Sequence, residues 1–194
     1  MYNNKEIVLF FGSFNPIHIG HLAIANYVVE FVDVKELWFV VTPQNPLKKI
    51  TNLLPDRERQ YMVELAINKF PKFKVSDIEF NLPKPNYTIN TLAYLQEKYP
   101  NRKFSLLIGG DNLESFTKWK NYEQILKNYK LYVYKRPNYE LAHYENSNIE
   151  ILNAPQMEIS SSFIRDAIKM NKDVRFFLPE NVYDYMLKMN YYKV

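Results

Sequence analysis

An unbroken apolar run, Ile7-Val8-Leu9-Phe10-Phe11, breaks at Gly12 into Ser13-Phe14-Asn15-Pro16-Ile17-His18-Ile19-Gly20-His21. A second apolar stretch follows, from Leu22-Ala23-Ile24-Ala25 to Val28-Val29. The first run has the length of a strand buried on both faces, as parallel sheets require, and the second has the length and composition of a helix. Parallel strands can be joined only by long crossover connections, usually helical. The chain is therefore expected to fold as α/β: three layers, Rossmann-like, with a mainly parallel sheet and a short helical C-terminal part over roughly residues 160–194.

In such sheets ligands bind outside the carboxyl ends of the strands, where the next helix presents free backbone N–H groups and its positive dipole end. The turn after Phe11 lies at that edge. Gly12 permits close backbone approach or a positive φ, and Asn15-Pro16 turns the chain over the strand end. His18 and His21, three apart at a helix start, share a face and can converge on one anion, with Gly20 leaving room between them. The bland alternative is that one histidine caps the helix and the other packs.

Composition narrows the class of protein. The 194 residues suffice for one domain, 1–194, with a real core, and 47% hydrophobic against 24% charged residues is ordinary globular composition. No apolar run approaches the ~20 residues of a membrane span, and the N-terminus reads as a first strand, not a signal peptide. No membrane association is expected. The absence of cysteine excludes a disulfide framework and thiolate metal sites and suits a reducing cytoplasm, the expected location. A net charge of +4 without a basic block argues against nucleic acid as a partner and for small anionic substrates. Nothing in the pattern decides whether the chain forms a homo-oligomer.

Further candidates fall in order along the chain. Glu36–Val41 reads as a second buried strand ending in a proline-rich loop, Thr42 to Lys49, whose Lys48 and Lys49 face either the crevice or solvent. Asp56 is the expected N-cap of a helix carrying Met62, Val63, Ala66, Ile67 and Phe70. Phe73–Val75 and Ile78–Phe80 are strand candidates. Thr88 is an expected N-cap, with Tyr87 before it. Strand Phe104–Ile108 runs into Gly109-Gly110-Asp111, where the backbone can pass close to a ligand and the acid can hold a sugar hydroxyl or merely cap a helix. Trp119 is either a stacking platform or a packing residue. Two more strands are expected, Tyr129–Tyr134 and Ile149–Leu152, with His143 in a solvated loop between them. At Ser160-Ser161-Ser162, one hydroxyl suffices for an N-cap; three, with Arg165 a turn later, look like a second anion site.

Gly12 to Pro16 with His18-Ile19-Gly20-His21 resembles the signature of the H-x-G-H nucleotidyltransferase superfamily. The order of the first turn, the Pro43–Lys48 loop, Tyr87-Thr88, Gly109-Gly110-Asp111 with Trp119, and Ile159–Arg165 is similar to that of bacterial nicotinate-nucleotide adenylyltransferases. Phe11, Leu47 and Lys120 depart from the family pattern, which commonly has glycine, histidine and an aromatic there. The resemblance implies transfer of AMP from ATP to nicotinate mononucleotide, giving nicotinate adenine dinucleotide and pyrophosphate in NAD biosynthesis. Nicotinamide mononucleotide and phosphopantetheine are the rival acceptors, and a non-catalytic nucleotide sensor is the rival class. The implied catalytic residues are His18 and His21. ATP would meet Gly12, Ser13, Phe14, His18, Gly20, His21, Gly109, Asp111, Ser160, Ser161, Ser162 and Arg165. Nicotinate mononucleotide would meet Ser13, Phe14, Lys48, Tyr87, Thr88, Asp111 and Trp119. Mg²⁺ is expected to arrive with ATP, bridging phosphate oxygens, and no protein metal ligand is expected.

Overall fold

The first apolar run forms strand β1 (Glu6–Gly12), with neighbours on both sides in the sheet. A computed structural model describes residues 6–46, 53–135 and 146–193. After β1 come α1 (Ile19–Phe31), β2 (Glu36–Val41), α2 (Asp56–Ile67), β3 (Phe73–Ser76), α3 (Thr88–Lys98), β4 (Lys103–Gly109) and α4 (Gly110–Glu114). They are followed by α5 (Tyr122–Asn128), β5 (Lys130–Tyr134), β6 (Ile149–Leu152), α6 (Ser161–Lys169) and α7 (Glu180–Lys188). The sheet order is β3-β2-β1-β4-β5-β6, and every pairing is parallel.

Alternation along β1 assigns its side chains to two cores. Val8 and Phe10 pack with Ile24 and Val28 of α1, Met62 of α2, Ile164 of α6 and Val182 of α7. Ile7 and Leu9 face the other way, onto Leu92 and Leu95 of α3, Leu113 of α4 and Ile125 of α5. Each fully buried aliphatic side chain contributes ~1.5–3 kcal/mol relative to exposure. Burial on both faces is what the continuous apolar runs encode.

Several local expectations are corrected. Ile78–Asn81 is a 3-10 turn, not a strand: Ile78 reaches the second core while Glu79 is buried and accepts a hydrogen bond from the Thr91 hydroxyl at 2.7 Å, so alternation here does not mark a sheet face. Asp56 and Thr88 are first helical residues. The caps are Pro55 and Tyr87, and neither makes a side-chain capping bond. The Asp56 carboxylate instead receives Arg59. Phe70 lies beyond the end of α2 and is half exposed.

Candidate active site

The order of strands reverses between β1 and β4, so the crevice outside their carboxyl ends is the expected ligand position. The turns after these strands, Gly12–Phe14 and Gly109–Asp111, flank it. Their glycines act by making room for their own neighbours. A Cβ on Gly12 would stand 2.7 Å from the Phe14 ring, and one on Gly109 would stand 2.3 Å from Asp111 Oδ1. Neither has a positive φ. Phe14 itself does, at 44°, and its ring is buried against Phe10, Phe39 and His21. Its ring is thus a core residue, and any contact with nucleotide would fall to its backbone.

His18 and His21 converge as expected. Their rings stack with centroids 3.7 Å apart, and both line one pocket with Phe10, Gly20, Tyr134, Lys135 and Ile159. His18 is buried and occupies the N-cap position in extended conformation, while His21 is half-buried in the first turn. The backbone N–H of His18 donates to His21 Nδ1 at 3.3 Å. An Nδ1 that accepts carries no proton, so neutral His21 holds its proton on Nε2. The pair thus combines ring N–H donors with a helix N-terminus beside a cation, Lys135. Lys135 escaped sequence analysis, although a lysine directly after the fifth strand was the available signal.

The serine-rich start of α6 is divided among tasks. Ser160 caps, accepting from Phe163 N–H at 3.1 Å. The Ser161 hydroxyl donates to Pro16 O at 2.8 Å. Arg165 donates to Asn15 O at 2.8 Å and to the Ser162 hydroxyl at 3.2 Å. In this arrangement Ser161 and Arg165 brace the histidine turn.

Arg59 was not singled out from sequence at all. Its side chain is fully buried and donates to Leu54 O (3.0 Å), Ser13 O (2.5 Å), Thr42 O (3.0 Å) and Asp56 Oδ1 (2.5 Å). One guanidinium therefore ties the turn after β1 to the segment after β2 and to the start of α2. Burial pulls its pKa down, while the Asp56 carboxylate acts to hold the charge.

A second group sits along the same edge. Asn86 N–H donates to Gln44 O (3.1 Å), and the Asn86 side chain accepts from Gln44 N–H (3.3 Å) and donates to Glu79 O (3.0 Å). This bracket places Tyr87 and Thr88 next to the end of β2. Trp119 lies half-buried on Phe116, ring centroids 5.2 Å apart, leaving indole surface available. Lys120 Nζ stands 4.6 Å above the Tyr87 ring, so the departure from the family aromatic joins the Trp119 segment to the start of α3. Lys48, Leu47 and His143 lie outside the described residues.

A parallel α/β sheet with paired histidines at its switch point defines a nucleotidyltransferase, and the family model for cytidylyltransferase-like proteins matches residues 9–167. The chain belongs to that family. Within it, the chain is similar to proteins named probable nicotinate-nucleotide adenylyltransferase: 53% identical to that of Flavobacterium psychrophilum, over 97% of this chain and 99% of the relative, and 50% identical to that of Cytophaga hutchinsonii, over 96% and 98%. The fold matches that of Plasmodium falciparum nicotinic acid mononucleotide adenylyltransferase complexed with NaAD, with a TM-score of 0.84, 22% identity, and coverage of 97% of this chain and 98% of that one.

Proposed function

We propose that this enzyme transfers AMP from ATP to nicotinate mononucleotide, forming nicotinate adenine dinucleotide and releasing pyrophosphate. The observation that carries the reading is the stacked His18–His21 pair beside Lys135 in the crevice at the β1/β4 switch point. A phosphate oxygen of the acceptor attacks the α-phosphorus of ATP as the bond to the β-phosphate's bridging oxygen breaks, and the electron pair leaves with pyrophosphate. No protein atom forms a covalent bond in that displacement. The residues hold two polyanions in line and offer donors where negative charge grows. His21, with its proton on Nε2, is one such donor.

The Tyr87–Thr88 helix start and the Trp119 indole suit the pyridine end, with backbone N–H groups for a carboxylate and a face for stacking. Magnesium enters with ATP as part of the substrate. The imidazole and ammonium donors in the pocket suit phosphate oxygens, so the ion would be carried by phosphate and water. Pyrophosphate release measured with ATP and a panel of acceptors tests the reading. Turnover should be fastest with nicotinate mononucleotide. Faster turnover with phosphopantetheine, or none with any mononucleotide, would overturn it.

A further inference from the structure

We propose that Tyr192, in the segment after α7, is a positioning residue for the histidine turn and acts through Asn15. This inference rests on the adenylyl-transfer reading above. The Tyr192 hydroxyl donates to Asn15 Oδ1 at 2.7 Å, linking residues 177 apart in sequence. Asn15 is only 1% exposed, and its Oδ1 also accepts from Leu54 N–H at 3.2 Å. With Arg165 on Asn15 O and Ser161 on Pro16 O, the corner is gripped from α6, from the approach to α2 and from the segment beyond α7. His18 follows Pro16 by two residues.

The backbone supports a dedicated role. Tyr192 adopts φ of 64°, in the left-handed region that an aromatic residue enters only when its surroundings require it. In that conformation its hydroxyl reaches the turn. Burial raises the phenol's pKa although the Arg165 and Arg59 guanidiniums act in the opposite sense, so the hydroxyl keeps its proton and remains a donor. Asn15 retains Leu54 and Arg165 when this one donor is lost. The turn should then persist but with a looser position, and donors aimed at a transition state are the groups most sensitive to such loosening.

Tyr192→Phe removes the hydroxyl and keeps the ring. Expected is a kcat lower by about 3- to 10-fold, the effect of one neutral hydrogen bond, with KM for ATP and acceptor within about twofold. In a His18→Ala background the same change should cost less than about twofold, because both act on one element. An unchanged kcat, or an equal loss in both backgrounds, would overturn the proposal, as would a fall in Tm alone. The chain has three histidines, so its imidazole NMR spectrum is simple. Tyr192→Phe should shift the His18 and His21 resonances. Unmoved resonances would refute the positioning role whichever acceptor is used, whereas wild-type protein inactive with nicotinate mononucleotide but with shifted resonances would refute only the acceptor assignment.

Discussion

His18 and His21 present their imidazoles face to face, planes 27° apart, with the backbone N–H of the first bonded to Nδ1 of the second. The pair is thus one unit: the His18 backbone holds the His21 ring in place, and rotating either ring would break the stack. On the proposed reading, two rings held this way would meet an incoming phosphate without rearrangement, the condition for strong stabilisation of developing charge.

Removing either donor should therefore cost ~10²–10³ in kcat. His18→Ala and His21→Ala are expected to remain folded by circular dichroism, and the double variant should lose less than the product of the two single losses. Steady-state kinetics on the three proteins decides it; multiplicative losses would separate the two histidines into independent roles.

Arg59 should be the most structurally costly single change near the site. Arg59→Met leaves the carbonyls of Ser13, Thr42 and Leu54 without their buried donor and leaves Asp56 with the longer of its two ion pairs, that to Lys84, which predicts a loss of ~3–5 kcal/mol in urea unfolding. Arg59→Lys keeps the charge but not the planar fork, so activity should fall with it as well.

Two carboxylates give opposite pH signatures. Glu58 accepts hydrogen bonds from Tyr185 and Tyr191, both at 2.6 Å, and these hold its pKa below the ordinary value. Its stabilisation is present above the unfolded pKa and is lost as pH falls through the folded one. Glu58→Gln should thus be less stable than wild type at pH 7, the difference closing toward about pH 3. Glu79 is raised by burial, partly offset by the Thr91 and Thr42 hydroxyls. Its native state favours the protonated acid, so stability falls as pH rises above the unfolded pKa. Relative to wild type, Glu79→Gln should gain stability as pH rises above about 4. Urea titrations across pH test both signs.

Lys120 over Tyr87 should matter for the acceptor and little for ATP. An exposed cation–π contact is worth ~0.5–1 kcal/mol, so Lys120→Met should raise KM for nicotinate mononucleotide about two- to fivefold with kcat retained. The wild-type enzyme should prefer nicotinate over nicotinamide mononucleotide by roughly 10–100-fold in kcat/KM, since the amide leaves one donor facing an NH₂ group. Parallel assays with the two acceptors measure both effects, and equal efficiency would remove the carboxylate from the pocket's selectivity.

The sheet was readable because its inner strands β1, β4 and β5 are buried on both faces and so appear as apolar runs, and the histidine turn because its spacing is local. What sequence concealed is long-range. Nothing around Arg59 distinguishes it from the exposed Arg57 two residues earlier, since its partners are backbone carbonyls brought together only by folding. Tyr192 was one of sixteen tyrosines. The serines hold roles that their spacing does not show: Ser160 caps its helix, and Ser161 reaches back to Pro16, 145 residues earlier. Ile78-Glu79-Phe80 imitated a strand because alternation does not record that its middle residue is a buried acid.

His18, His21, Asp111 and Lys135 issue from the carboxyl ends of the strands or from helices that begin there, while the returns from α2 to β3 and from α3 to β4 lie at the opposite rim. At that rim Asn68, Lys69, Pro71, Asn101 and the intervening chain around Pro100 are exposed. A peptide tag, a dye or a tether to a solid support inserted at Asn68–Lys69 or Pro100–Asn101 would hold the molecule by its back, with the crevice opening outward to substrate.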